Sequence, residues 1–262
     1  RGLRALSGGP GAGGVAAIPD VRRPVSGREA EAWVKESIRD YYAKPRGPEY
    51  RSRAAGSLRQ MDDKFSFFKP ETTVLDLGCF PGGWSQVAIE RTYASSSGSR
   101  VIGVDKVRMD PLDYHTFLQA DVAEEETVAK VQEALEGRRA DVVLSDLAPQ
   151  VTGLKLEDHL ASMQCCLHAA RIMEASLRLG GWFVVKLLWG SEQQNWRTYL
   201  DSRFQTVRTI KPPASRWVQR EMFCCCRGFL GRHPIAEEVQ RPGLDLAKHE
   251  GVDRWDPDVR KT

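Results

Sequence analysis

The sequence predicts an α/β fold built on a mostly parallel sheet with helices on both faces. Three observations carry that expectation. Short apolar runs rich in Val, Ile and Leu recur along the chain, helix-length segments alternate with them, and a glycine-rich turn over Gly78-Cys-Phe-Pro-Gly-Gly83 joins the first run directly to a helix. At 262 residues with 41% hydrophobic composition, the chain can bury one large domain with terminal extensions. No apolar run approaches the roughly 20 residues that a helix needs to cross a bilayer, so no membrane partner is expected.

Residues 1 to 28 form a Gly-, Pro- and Arg-rich arm without a core pattern. A helix is expected over Glu29 to Tyr42, a break over Ala43-Lys-Pro-Arg-Gly-Pro48, and a second helix over Ser52 to Lys64, so that 29 to 69 is a basic helical segment. The main domain, 70 to 229, starts with a strand at 73 to 78, where Val74, Leu75 and Leu77 give the buried pattern. Pro81 then delays the helix at 84 to 92. Strands follow at 100 to 105 and 116 to 119, a helix at 124 to 136, a strand at 140 to 145, a helix at 158 to 178 and a strand at 182 to 187. A helix at 192 to 203 leads to strands at 206 to 210 and 221 to 226, a hairpin-like pair joined through Lys211-Pro-Pro-Ala-Ser215. From 230 to 262 the chain is a polar tail with three prolines, too poor in apolar residues to fold alone.

The formal charge of +3 is mild, so local clusters matter more than the total. Lys44, Arg46, Arg51, Arg53 and Arg59 stand against Glu49 alone, and Arg203, Arg208, Lys211, Arg216 and Arg220 have no acid among them. A solvated surface explains either cluster alone about as well as a nucleic acid does. The cysteines are contiguous (Cys165-Cys166, Cys224-Cys225-Cys226) or isolated (Cys79), without CxxC spacing, and the histidines are scattered. Small buried hydrophobes are expected there, not disulfides or a metal site.

In an open parallel sheet the ligand sits at the carboxyl ends of the strands. Acids occupy four such ends. Asp76 lies just before the turn of Gly78, Gly82 and Gly83. Asp105 ends Arg100-Val-Ile-Gly-Val-Asp105, where a carboxylate can accept both hydroxyls of a ribose. Asp121 follows Phe117-Leu-Gln-Ala120, and Asp146 closes Asp141-Val-Val-Leu-Ser-Asp146. Each alone could be a cap or turn residue. Together, around a turn that is not GxGxxG, they describe a pocket for an adenosine bearing a positive or zwitterionic group, which suits S-adenosyl-L-methionine better than NAD. Lys186 finishes the strand Trp182-Phe-Val-Val-Lys186 and needs a partner there, with Asp146 and Glu221 the candidates. A simple buried ion pair is the bland alternative.

These residues resemble the FtsJ/RrmJ family. The resemblance rests on Asp76-Leu-Gly-Cys-Phe-Pro-Gly-Gly-Trp-Ser-Gln86, Val104-Asp105 with Met109-Asp-Pro111, Phe117-Leu-Gln-Ala-Asp121 and Leu144-Ser-Asp-Leu-Ala-Pro149. Phe183-Val-Val-Lys186 and Lys211-Pro with Ser-Arg216 and Arg-Glu221 complete it, over about 50 to 229. It implies a Rossmann-like class I methyltransferase fold with a seven-stranded mostly parallel sheet and an antiparallel last strand. It also implies S-adenosylmethionine-dependent methylation of RNA ribose 2′-hydroxyls, with large-subunit rRNA as partner; the mitochondrial members are the closest match. The family's cofactor residues fall on Gly82, Trp84, Asp105, Asp121 and Asp146. Of its Lys-Asp-Lys-Glu catalytic set, Asp146, Lys186 and Glu221 match the last three. The first lysine is replaced by Ser57, in Ser52-Arg-Ala-Ala-Gly-Ser-Leu58, where Gly56 also replaces an aromatic residue of the family pattern. Arg53 stands one helical turn before Ser57.

Two other functional expectations stand beside the enzyme. One is a large-subunit assembly factor that binds rRNA without catalysis and meets assembly-intermediate proteins through its terminal arms; the other is a small-molecule methyltransferase or other nucleotide-binding enzyme. The first 19 residues carry Arg1, Arg4 and several alanines but no acid, a composition shared by organellar transit segments and by unstructured extensions. The expectation is the mitochondrial matrix.

Overall fold

The structure, a computed structural model, describes residues 50–150, 152–215 and 220–231. The expected helix over Glu29 to Tyr42, both terminal arms and Arg216 lie outside the described residues. Seven strands form one sheet: β1 Thr73–Leu77, β2 Arg100–Asp105, β3 His115–Gln119, β4 Ala140–Ser145, β5 Leu177–Leu188, β6 Phe204–Ile210 and β7 Glu221–Phe229. Their order is β3-β2-β1-β4-β5-β7-β6. Strands β3, β2, β1, β4 and β5 pair in parallel, and β7 enters between β5 and β6, antiparallel to both. The reversal falls on the last strand, as the sequence implied.

Helices α1 Ala54–Phe65, α2 Gly83–Arg91, α3 Ala94–Ser97, α4 Glu126–Ala134, α5 Lys155–Ser176 and α6 Gln193–Asp201 complete the domain. Period-two alternation sends each strand's side chains to two separate cores. Val74, Val101, Val142, Leu144, Val184 and Phe223 pack beneath α1 and α2, against Leu58, Met61, Trp84 and Val87. Leu75, Ile102, Val143, Phe183, Val185 and Cys226 pack on the opposite face, against Val131 of α4, Ile172 and Met173 of α5 and Leu200 of α6. α1 buries Ala55, Leu58 and Met61, one stripe at helical spacing. It ends where Ser66 turns left-handed and its N–H reaches the carbonyl of Asp62.

One boundary moves substantially. α5 stops at Ser176, and β5 begins at once with Leu177, well before the expected 182. Register then shifts, because Ala140 pairs with Leu177 whereas Val142 pairs with Trp182. Gly180 and Gly181 permit this bulge: Gly180 has φ +75, and a Cβ at Gly181 would stand 2.9 Å from the carbonyl oxygen of Asp141. The six cysteines are free thiols, five of them buried and Cys165 half-buried. Burial pushes the Cys224 thiol up to about 11, consistent with packing rather than reactivity.

Candidate active site

The sheet register decides which polar groups meet. Asp76 pairs with Gly103 and with Leu144, Leu144 with Val184, Lys186 with Phe223 and Leu188 with Glu221. Continuing the alternation by two places Asp76, Asp105, Asp146, Lys186 and Glu221 on one face, the one covered by α1 and α2, near the carboxyl ends of the parallel strands. This is the set that the sequence singled out, apart from Asp121, which follows the edge strand β3.

Lys186 is the centre of this arrangement. Its Nζ lies 2.8 Å from Asp146 Oδ1 and donates to the Asp146 carbonyl oxygen at 3.0 Å. The two side chains are 10% and 20% exposed, so the pair is largely withdrawn from solvent screening. Burial works against the ammonium, but the carboxylates of Asp146 and Glu221 outweigh it and hold Lys186 above the ordinary lysine value. At neutral pH the resting group is therefore the ammonium. Among the described residues, two of its three N–H bonds go to Asp146.

The turn after β1 is anchored at each step. The N–H groups of Gly78 and Cys79 donate to the Val104 carbonyl, and Phe80 N–H donates to Asp105 Oδ2 at 3.0 Å. The Phe80-Pro81 bond is cis, and Gly82 follows at φ +115. A Cβ at Gly82 would lie 3.1 Å from Leu112, 3.2 Å from Arg51 and 3.3 Å from Met109, and one at Gly83 would collide with Ser52 Oγ. Glycine is thus required here both by backbone conformation and by close packing. Arg51 fastens this packing, donating to the carbonyls of Asp110 at 2.6 Å and Pro111 at 2.8 Å. The sequence had placed Arg51 only in a basic cluster.

Asp76 is fully buried. Ser85 Oγ donates to its Oδ2 at 2.7 Å, while Oδ1 has no partner among the described residues. Burial, reinforced by Asp146 and Asp105 against the Ser85 hydrogen bond, pushes its carboxyl up to about 7. Asp105 accepts from Phe80 N–H and from Val107 N–H, one on each oxygen. A carboxylate has about four lone-pair positions, so both oxygens retain capacity for a pair of hydroxyls. Asp121 accepts from Ala123 N–H at 2.9 Å and keeps its side chain 37% exposed beside the pocket strands. Trp84 is placed differently from a ligand-facing aromatic: its ring is 2% exposed, 5.9 Å from Phe223, and its Nε1–H donates to the Ala54 carbonyl. What Trp84 offers the turn is its backbone N–H, in the open first turn of α2.

These residues fit S-adenosylmethionine by the chemistry of their donors and acceptors. The buried, half-satisfied Asp76, the spare acceptor capacity of Asp105 and the acidic end at Asp121 suit a cationic nucleoside. Among the described residues no group of three His, Cys, Asp or Glu side chains is placed to hold a metal ion.

The basic clusters are divided by the structure. Arg203 is 4% exposed and paired with Glu174 at 2.6 Å. Arg220 donates to the carbonyls of Trp189 and Lys155. Only Arg208 of the described cations in that segment is exposed, because the others brace the domain; sequence spacing has no signal that separates the two uses. Ser57 is buried on α1 at 5% exposure.

Comparison with known proteins follows the same outline. The profile of the FtsJ-like methyltransferase family matches residues 50–229. A ribosomal RNA large subunit methyltransferase E of Parvibaculum lavamentivorans is 41% identical over 239 residues, 86% of this chain and 92% of its own. The protein of the same name from Jannaschia sp. is 40% identical over 206 residues, 76% of this chain and 86% of its own. The crystal structure of a ribosomal RNA methyltransferase from Plasmodium falciparum superposes with a TM-score of 0.64 at 38% identity, covering 70% of this chain and all of that one. With the profile matched over residues 50–229 and relatives about 40% identical across most of its length, the chain belongs to the FtsJ-like methyltransferase family.

Proposed function

We propose that this chain is an S-adenosylmethionine-dependent 2′-O-ribose methyltransferase of mitochondrial large-subunit rRNA. The observation that carries the reading is the Lys186–Asp146 pair at the carboxyl edge of the sheet, beside the glycine turn. The cofactor supplies a methyl group on a positively charged sulfur. Asp105 and Asp121 hold the nucleoside, Gly78, Gly82 and the amides of Gly83 and Trp84 receive it closely, and Asp76 faces the cationic end. Lys186 contacts the ribose hydroxyl through its remaining N–H, with Asp146 and Glu221 fixing its direction. To take up the 2′-proton, Lys186 must first be neutral; a cation arriving beside it lowers its pKa and moves it that way. The large-subunit rRNA target agrees with the names of the relatives, and the mitochondrial assignment rests on the acid-free first 19 residues.

The test is methyl transfer from labelled cofactor to large-subunit rRNA. Lys186→Ala should lower it by roughly 10²- to 10⁴-fold. Transfer retained in that variant removes Lys186 from the chemistry.

Ser57 and Gly56 favour a second reading, an assembly factor that binds rRNA without methylating it. An unmodified target ribose in mature ribosomes, together with stalled large-subunit assembly on deletion, would select this alternative.

A further inference from the structure

The amino-terminal edge of the parallel strands, opposite the glycine turn, carries a cavity of about 390 Å³. The bulge in β5 opens it. Ala140 pairs with Leu177 and Val142 with Trp182, so Asp141 alone stands against residues 178 to 181, and β5 swings out of the ladder there. Arg178 and Trp182 thereby reach the cavity wall. The turn after α1 adds Phe67, Lys69 and Glu71, and β7 adds Arg227, the register partner of Trp182.

The wall joins an aromatic surface to cations. Trp182 is half-buried, with its ring centroid 5.8 Å from that of Phe67 and the Arg227 guanidinium 5.7 Å over its ring. Asp141 is already engaged, because Arg178 Nε donates to one of its oxygens and Thr73 N–H to the other, at 2.8 Å. Lys69 and Arg227 are exposed, and neither forms an ion pair among the described residues. Of the acids in the lining, Glu71, also exposed, is the one left to oppose them.

Size, charge and exposure together select the ligand. Sites for small ligands span about 300–1,000 Å³ and bury most of the ligand's surface. This cavity is large enough for one nucleotide, but its cations stand in solvent, which suits a free nucleotide poorly. A strand of RNA is held instead by cations along its phosphates and by flat side chains against single bases.

We propose that the cavity is a second RNA contact, where one nucleotide of a single strand sets its phosphate on Lys69 and Arg227 and its base beside Trp182 and the guanidinium plane of Arg227. RNA as the ligand rests on the methyltransferase reading, but the contact needs no chemistry at Lys186. Trp182 and Lys186 lie on the same face of β5, roughly 13 Å apart along the strand. One strand of RNA can therefore reach both edges of the sheet, and the contact adds affinity without taking part in methyl transfer.

The experiment is ¹⁹F NMR of the full-length protein carrying fluorotryptophan, with the Trp182 resonance assigned from a Trp182→Phe variant. A short single-stranded RNA of mixed sequence at low salt should move that resonance, and AMP at the same nucleotide concentration should not. An unmoved resonance with RNA, or an equal response to AMP, overturns the proposal. Lys69→Gln and Arg227→Gln should each weaken RNA binding severalfold and lower the slope of log affinity against log salt by about 0.7; Arg227→Lys should restore the slope. An unchanged slope in either glutamine variant puts the RNA elsewhere and also overturns it. In methyl transfer to rRNA, both glutamine variants should raise KM and leave kcat within about twofold. If RNA engages Trp182 but the native protein transfers no methyl group, the contact stands and the enzymatic reading falls; methyl transfer with native KM in both variants does the reverse.

Discussion

Replacing Asp76 by asparagine should stabilise the ligand-free protein while weakening its cofactor site. Burial raises the carboxyl from 3.8 to about 7. A carboxyl raised by the fold leaves stability intact below pH 3.8, where both folded and unfolded chains are protonated, and removes it progressively as pH rises to about 7. A shift of about three units corresponds to about 4 kcal/mol. Asparagine is neutral at every pH, can still accept the Ser85 hydroxyl, and escapes that penalty. Its amide NH₂ meets the position of the unpartnered Oδ1, which costs about 1–3 kcal/mol as an unmet donor. The net expectation at pH 8 is a gain of about 1–3 kcal/mol, turning to a small loss near pH 4. Urea denaturation of both proteins across that range reads the difference, and calorimetric titration with S-adenosylmethionine should show weaker binding by the variant. Parallel stability–pH curves for the two proteins would refute the reasoning, because they would mean that Asp76 titrates normally in its buried position.

Arg203→Ala should destabilise the domain by about 3–5 kcal/mol through loss of the buried ion pair with Glu174, while rRNA affinity of the folded fraction, read by filter binding, stays within about twofold; a large affinity loss would return Arg203 to the RNA surface. Gly82→Ala must hold φ +115 against contacts of 3.1–3.3 Å; a cost of about 1–3 kcal/mol is expected in denaturation midpoints, and native-like stability would show that the turn opens freely. His115 lies over Gly103, with its imidazole pushed down to about 4 by burial and by Arg51. Its folded pKa is depressed, so its contribution is present above pH 6.5 and lost as pH falls to about 4. Thermal melts of His115→Gln should flatten across that window relative to the native protein, and an unchanged slope would count against a buried neutral ring.

The grouping of the candidate residues was more legible than the cations around it. Asp105, Asp146 and Lys186 announce themselves because a charged residue at the end of an apolar strand has few structural uses, and the sheet register then puts them on one face. The same local pattern says nothing about Ser85, whose hydroxyl reaches Asp76 across a turn, or about Lys211, whose partner is set by the hairpin geometry. Arg203 and Arg220 looked like surface charge because sequence separation hides Glu174 and the Trp189 carbonyl, which only the packing of α5, α6 and β5 brings near. The early start of β5 was obscured by Gly180-Gly181, a pair expected to precede a strand that here sits in a bulge within it.

The insertion of β7 between β5 and β6 has a consequence for biosynthesis. Glu221 arrives on the final strand, 145 residues after Asp76, and β7 also supplies the carbonyl that Lys211 holds. A chain still emerging from the ribosome has β1, β2 and β4 available to pair, yet it lacks the strand that lies against β5 and carries Glu221. The last described strand is thus an interior one, and the sheet between β5 and β6 cannot be completed until residues 221–229 have been made.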